Sequence, residues 1–349
     1  MPPGRPHAAR FVFLVHPFTE PVRRVTALRT IRPRLGLSRR PTPTPEDCRP
    51  ICRLVLETPA RLVEGVVVTV PLLPQALLDD QEAAVHFMRA AVARAGGAVE
   101  AVGLGSVLAV VAGRGTALQR HLWQPVTTGA AATAWAAAEN AEAAARALGA
   151  WPAGPIAVLG HQGTVGAAVV ELLRRDGARR LHVVARGAQA RRAVAEGLAP
   201  HDDAEAAVSG CRVVIGASTT GGILAPSALG PGAVLVDVAI PRTLSGPAPR
   251  GVRVLAGEAV VPPGAYRRGR WGALYHLLAG YGPAHLFACL VEPMLMVAEG
   301  RREPFAQGRR VAWEALRDIR RLAPAWGFSP VLASHWRGVS PARLRALRP

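Results

Sequence analysis

Apolar positions follow two rhythms along this chain. Phe11-Val12-Phe13-Leu14-Val15 is a short unbroken run that reads as a first strand. Ile51 to Leu56 and Leu62 to Leu73 alternate or run apolar, as paired strands do, and Val99 to Val102 and Val107 to Val111 are strand-like, with Gly103 and Gly105 between them. Between these, Ala76, Leu77, Ala84, Phe87, Met88 and Ala91 recur at helical spacing, which predicts a helix over Pro74 to Ala95. Ala130 to Leu148 is an alanine-rich helix, and Gly149 suits its end. Residues 1–10 read as a loose tail, 32–50 as a loop with five prolines, and 331–349 as a second tail.

The rhythm changes after Trp151-Pro152-Ala153-Gly154, a natural domain joint. Strand-like runs follow at 156–159, 181–185, 211–215, 233–236 and 252–255, with helix-like segments separating the first three. Such alternation predicts a doubly wound parallel sheet. The stretch from Trp271 to Phe328 is amphipathic and helical. The expected fold is thus α/β with two domains: an N-terminal α/β domain over 11–150, a Rossmann-like domain over 151–270, and C-terminal helices over 271–330 that pack back on the first domain.

The most informative run is Pro155-Ile156-Ala157-Val158-Leu159-Gly160-His161-Gln162-Gly163-Thr164-Val165-Gly166, a strand entering a glycine-spaced turn with a helix leaving it. Glycine lets such a turn tighten, lets backbone approach a pyrophosphate, and lets helix pack close on strand. The helix N-terminus then offers N–H groups to the phosphates. Gly160, Gly163, Thr164, Val165 and Gly166 are therefore cofactor-binding candidates, a purely structural turn being the alternative. The next strand, Leu181 to Ala185, ends in Arg186. An acid there would bind a ribose 2′-hydroxyl, whereas an arginine suits a 2′-phosphate, so the cofactor expected is NADPH. Further strand ends bring Ser218 and Asp237 to the ligand-binding edge of the sheet, with loop and turn roles as their alternatives.

Composition narrows the chemistry. The chain has 349 residues, half of them hydrophobic, with a net charge of +18. All 42 basic residues are arginine, which excludes Schiff-base lysine chemistry and a P-loop lysine. A basic surface favours acidic partners. The arginines are scattered and no nucleic-acid-binding motif is visible, so an acidic carrier protein is favoured over nucleic acid. Cys48, Cys52, Cys211 and Cys289 form no disulfide framework, and no acidic or Cys/His cluster has metal-ligand spacing. There is no signal-peptide pattern and no apolar run of membrane-spanning length, so a cytoplasmic location is expected.

The segment Ala284-His285-Leu286-Phe287-Ala288-Cys289-Leu290-Val291-Glu292-Pro293-Met294-Leu295 carries the remaining candidates. On a helix His285, Cys289 and Glu292 would share a face. An imidazolium beside a thiol lowers its pKa and makes it a nucleophile, and Glu292 would orient the group. Pro293 cannot donate to the Cys289 carbonyl, so a kink is expected there. Simple core packing of the cysteine is the alternative.

With those residues set out, the chain resembles the cyanobacterial-type long-chain acyl-[acyl-carrier-protein] reductases. The likeness runs from Leu286 to Glu292, on through Glu299-Gly300, Phe305, Gly308-Arg309 and Gly327-Phe328. It includes Leu62 to Gly65 with Leu73-Pro74, Val126-Thr127-Thr128-Gly129 with Thr133-Ala134, the glycine turn, Ala185-Arg186, Val234 to Asp237, and Pro241. The resemblance implies NADPH-dependent reduction of a carrier-bound acyl thioester to an aldehyde, with Cys289 as the acylated nucleophile and an acyl carrier protein as partner. Departures are concentrated around the cleft. Ala130 and Ala132 stand where the family has Asn and His, Val238 to Arg242 replace Gly-Gly-Tyr-Pro-Lys, and Thr69 replaces a glutamate. Glu258 replaces the second of two glycines, and His285 replaces a glutamine.

Acyl transfer to Cys289 exchanges one thioester for another and makes the reduction intramolecular. Ser218, Thr128 or backbone N–H groups are candidate donors to the developing oxyanion. Leu72, Leu73, Leu77, Phe287, Met294 and Met296 are candidate lining for an acyl tunnel, with ordinary core as the alternative. Two other functions remain open: a two-domain NADP-linked carbonyl oxidoreductase resembling shikimate-dehydrogenase-like enzymes, and a non-catalytic NADPH-binding accessory protein.

Overall fold

The computed structural model describes residues 9–17, 43–57, 61–269, 284–334 and 337–347. Most of the expected N-terminal tail and proline-rich loop, and the first part of the helical stretch beginning at Trp271, lie outside these residues. The chain forms two compact units. The first takes its residues from Met1–Ala130, Pro262–Pro283 and Cys289–Arg309, the second from Ala131–Val261, Ala284–Ala288 and Arg310–Pro349.

The first unit is built on β1 (Ala9–Val15), β2 (Arg49–Glu57), β3 (Leu62–Thr69), β4 (Ala101–Leu104) and β5 (Val126–Thr127). Helices α1 (Pro74–Asp79) and α2 (Gln81–Arg94) join β3 to β4. β1 lies between β3 and β4, parallel to both, and Phe11, Val12, Phe13 and Leu14 are all buried. A strand covered on both faces needs an unbroken apolar run, which is what Phe11 to Val15 supplies. Leu77, Met88 and Ala91 from α1 and α2 pack into one core with Val12 and Leu14. The single helix expected over Pro74 to Ala95 is broken at Asp80, whose carboxylate accepts from Ala83 N–H at 2.9 Å and caps α2. The strand expected over Val107 to Val111 is instead a 3-10 turn, Ser106–Ala109, followed by tight turns with positive φ at Ala112 and Arg114. Glycines at 105, 113 and 115 punctuate that run and defeat extended pairing.

The second unit opens with α3 (Ala130–Leu148), which sequence had assigned to the first domain. Then come β6 (Ile156–Leu159), α4 (Thr164–Arg175), β7 (Leu181–Val184), α5 (Gly187–Ala195), β8 (Ala199–His201), α6 (Ala204–Val208), β9 (Val213–Gly216), β10 (Val234–Asp237) and β11 (Arg253–Ala256). All six strands are parallel, in the order β11-β10-β9-β6-β7-β8. Numbered within the sheet and read from β8, this is 3-2-1-4-5-6, the doubly wound Rossmann arrangement. β8 was not foreseen because Pro200 breaks its pattern, and an edge strand is where a proline is tolerated.

The chain continues through β12 (Ala259–Val261), β13 (Tyr266–Arg268), β14 (Leu286–Phe287), α7 (Val291–Glu299), α8 (Trp313–Ala325) and β15 (Ser329–Pro330). β13 joins the first sheet beside β2, making it six-stranded, while β12 pairs with β14 and β15. The C-terminal helices divide between the units. α7 packs on β1, β3 and β4 of the first. α8 belongs to the second, where Arg320 holds Asp176 at 2.7 Å and Glu139 at 3.0 Å. Among the described residues no helix is long and apolar enough to cross a membrane.

Candidate active site

The segment from His285 to Glu292 is not one helix. His285 precedes β14, a 3-10 turn follows over Ala288–Leu290, and α7 begins only at Val291. His285 belongs to the second unit, whereas Cys289 and Glu292 belong to the first, so the expected shared helical face does not exist. Its premise was a continuous 3.6-residue period, and β14 interrupts that period. Pro293 produces no kink either, because it falls in the first turn of α7, where a missing N–H leaves no helical bond unmade.

What holds Cys289 is the T-T-G turn. The Gly129 backbone lies so close to it that a Cβ on residue 129 would stand 2.6 Å from Cys289 Cα. Gly129 also has φ +75°, a conformation that disfavours side chains. Glu292, fully buried, accepts from Gly129 N–H at 3.1 Å and from the Thr127 hydroxyl. The Thr127 oxygen in turn accepts from Ala306 N–H at 3.4 Å, so a relay of donors runs Ala306 to Thr127 to Glu292. A carboxylate can be buried when such donors replace water. Glu292 thereby fixes the turn that packs against the cysteine. Thr128, a candidate oxyanion donor, gives its hydroxyl to the Ala306 carbonyl at 3.2 Å. Leu77 sits in the core of the first unit and is ordinary packing.

Cys289 is the partly exposed cysteine of the four; Cys48, Cys52 and Cys211 are buried. Burial pushes the Cys48 thiol up to about 12 and those of Cys52 and Cys211 up to about 11, so none of these three is a nucleophile near neutrality.

The glycine turn of the second unit has the form expected of a dinucleotide cradle. Gly160 has φ +88°, and a Cβ there would stand 2.7 Å from Ser218 N. A Cβ on Gly166 would stand 2.7 Å from the Gly160 carbonyl carbon. α4 starts at Thr164, with Val165 and Gly166 in its first turn and no side-chain cap over its N–H groups. Arg186, at the end of β7, is exposed and caps α5 with its backbone, while its Nε donates to the Asp202 carbonyl. These residues fit a nicotinamide dinucleotide: glycines where side chains would fill the cradle, a helix N-terminus without a side-chain cap, and a cation beyond β7. Ser218 is half-buried and its oxygen accepts from Thr220 N–H at 3.0 Å, leaving its own proton to donate.

Asp237 takes the structural role. It is 1% exposed and accepts from Ala239 N–H, Thr243 N–H and the Thr243 hydroxyl at 3.1, 3.2 and 2.7 Å, so it organises its own loop. Close by, sequence reasoning passed over Glu258 as a mere departure from a glycine pair. It is 7% exposed, and Oε2 has no hydrogen-bond partner. Burial pushes its carboxyl up to about 7, against the pull of Arg242 and with a further push from Asp237. Its backbone is clamped: Asn140 Nδ2 donates to the Gly257 carbonyl at 2.9 Å, Gly257 N–H to the Asp237 carbonyl at 3.1 Å, and Ala288 N–H to the Glu258 carbonyl at 2.9 Å. The signal available in sequence was an acid directly after the strand-end glycine. Among the described residues no group of three or more His, Cys, Asp or Glu is arranged to hold a metal ion.

Fold and sites define an α/β protein with a Rossmann-type unit, and a unit in which a partly exposed cysteine packs against a glycine turn. No protein-family model matches the sequence. Aminotransferase PigE of Serratia sp. (strain ATCC 39006) is 26% identical over 279 residues, which are 76% of this chain and 32% of that protein. The chain therefore spans about a third of the length of the curated relative it matches. The crystal structure of phosphoglycerate oxidoreductase from Vibrio Cholerae o395 shares 14% identity at a TM-score of 0.27, covering 43% of this chain and 56% of that one. The Rossmann assignment rests on strand order and the glycine turn.

Proposed function

We propose that this chain reduces an acyl thioester to an aldehyde, with Cys289 as the acylated nucleophile and NADPH as reductant. The observation that carries the reading is the placement of Cys289. Three thiols are buried, and this one is partly exposed, packed against a turn that Glu292 holds through Thr127 and Gly129. The Cys289 sulfur attacks the thioester carbonyl, and the carrier sulfur leaves with a proton. One thioester replaces another, so the exchange is nearly neutral, and the carbonyl is then tethered. NADPH, when bound, supplies the hydride that a thioester accepts and a carboxylate resists. Gly160, Gly163, Thr164, Val165, Gly166 and Arg186 are the residues that would hold it. Ser218 retains a proton to offer a developing oxyanion. The carbon–sulfur bond then breaks, releasing aldehyde and restoring the Cys289 thiolate.

The matched relative is named an aminotransferase. Pyridoxal-phosphate chemistry needs a lysine for the internal Schiff base, and this sequence contains none. This chain therefore offers no lysine for that chemistry, and an aldehyde is a carbonyl of the class that transamination consumes. The +18 net charge favours docking of an acidic acyl carrier protein. The test is intact mass after incubation with a dodecanoyl pantetheine thioester. One acyl adduct is expected, absent in Cys289→Ala. No adduct, or an adduct that persists in Cys289→Ala, would overturn the reading.

A further inference from the structure

One side-chain hydrogen bond ties the glycine turn of the second unit to α5. Gln162 stands between Gly160 and Gly163, and its Nε2 donates to Gln189 Oε1 at 2.7 Å. Gln189 is the third residue of α5, whose N-cap is Arg186. A glutamine at that position ordinarily reaches back to the N–H of its own cap. This one turns its carbonyl to the glycine turn instead. His161, the neighbour of Gln162, is half-buried and feels the Glu196 carboxylate at the other end of α5. Two consecutive side chains of the turn thus face the same helix.

The bridge falls where a doubly wound fold places the adenosine half of a dinucleotide. In such folds the pyrophosphate lies at the N-terminus of the helix after the first strand, and the ribose lies against the end of the second. Here these places are the start of α4 at Thr164 and the end of β7, two residues before Arg186. β6 and β7 are paired neighbours, so a bond from the turn to α5 spans the gap between the two places. It takes one N–H of Gln162 and the carbonyl of Gln189, which leaves both N–H groups of the Gln189 amide outside it. Gln189 is three residues from Arg186, close enough for the two side chains to share a ligand. An amide carries no charge to repel a phosphate, as an acid at either position would.

We propose that Gln189 is a specificity residue for the 2′-phosphate of NADPH, donating to it beside Arg186, and that Gln162 is the positioning residue that aims the Gln189 amide at it. The inference rests on the NADPH reading above.

The test is binding to the whole chain. NADPH and NADH are followed by fluorescence titration, and 2′,5′-ADP, which keeps only the phosphorylated adenosine end, by calorimetry. Wild type is expected to bind 2′,5′-ADP, and to bind NADPH more tightly than NADH. Gln189→Ala should raise the Kd for NADPH and for 2′,5′-ADP by about 10-fold, the worth of one hydrogen bond to a charged group, and leave that for NADH almost unchanged. Gln189→Glu, a like charge in place of a donor, should raise the same two by about 100-fold. Gln162→Ala should weaken them by less. The double variant Gln162→Ala/Gln189→Ala should bind no worse than Gln189→Ala, because Gln162 acts through Gln189. Both positions are exposed, and thermal melts establish that the variants are folded. Wild-type affinity of Gln189→Glu for NADPH and 2′,5′-ADP, or equal losses for NADPH and NADH, would overturn the proposal and leave the dinucleotide reading standing. Additive losses in the double variant would overturn the positioning role of Gln162. Wild-type protein that binds neither NADPH nor 2′,5′-ADP would overturn both the proposal and the NADPH reading.

Discussion

Glu292 and Gly129 act on Cys289 from two directions, one through hydrogen bonds and one through the absence of atoms. Thr127→Val removes the hydroxyl donor to the buried Glu292 carboxylate, and a loss of about 1–3 kcal/mol in unfolding free energy is expected, read by urea melts. Gly129→Ala places a methyl 2.6 Å from Cys289 Cα at a φ of +75°. A further destabilisation of about 1–3 kcal/mol and a strongly slowed acylation should result, read by melts and by intact mass. At this scale the sequence named Cys289, Glu292, Gly160, Gly166 and Arg186 as candidates and put Asp237's capping role beside its ligand role. Spacing along a presumed helix put His285, Cys289 and Glu292 on one face, and that helix is interrupted by β14 and a 3-10 turn. Thr127, 165 positions before Glu292, holds the Glu292 carboxylate. Long-range pairing of that kind leaves no periodic trace.

The element proposed to meet the cofactor is the turn between β6 and α4. Gly166→Ala puts a methyl against the carbonyl of Gly160 and should abolish NADPH binding, measured by fluorescence titration, without unfolding the first unit. Arg186→Ala should raise the NADPH Kd by about 10- to 100-fold and leave the NADH Kd almost unchanged, since only one cofactor carries the 2′-phosphate. Equal losses for both cofactors would show that Arg186 serves α5 rather than the ligand. This element was legible because its glycines, strand and helix are contiguous in sequence. α3 was legible as a helix over residues 130–148 but not in its allegiance, since an alanine surface packs equally well in either unit. β14 was illegible: two residues pairing with distant Ala259 and Val260 leave no pattern of their own.

For the whole molecule, two buried groups set opposite pH trends. Glu258 binds its proton more tightly folded than unfolded, so its stabilising contribution is present below pH 4.5 and is lost as pH rises through about 7. The loss amounts to about 3 kcal/mol, and Glu258→Gln should melt higher than wild type above neutrality. His16 is held neutral by burial, its pKa lowered to about 4 and its Nε2 accepting from Val107 N–H at 3.3 Å. Its contribution is complete above pH 6.5 and is lost as pH falls toward about 4. The two windows overlap, so in wild type their opposite slopes nearly cancel between pH 4.5 and 6.5, whereas Glu258→Gln should show stability rising from about pH 4 to 6.5 as the His16 limb is uncovered.

The central claim is that an acyl group bound to Cys289 is the species reduced. Protein acylated with the dodecanoyl thioester, freed of excess reagent and mixed with NADPH, tests it directly by intact mass and product analysis. The adduct is expected to disappear as dodecanal forms in equal amount, with one NADPH oxidised per adduct. An adduct that survives NADPH, or leaves as dodecanoic acid without NADPH oxidation, would contradict it.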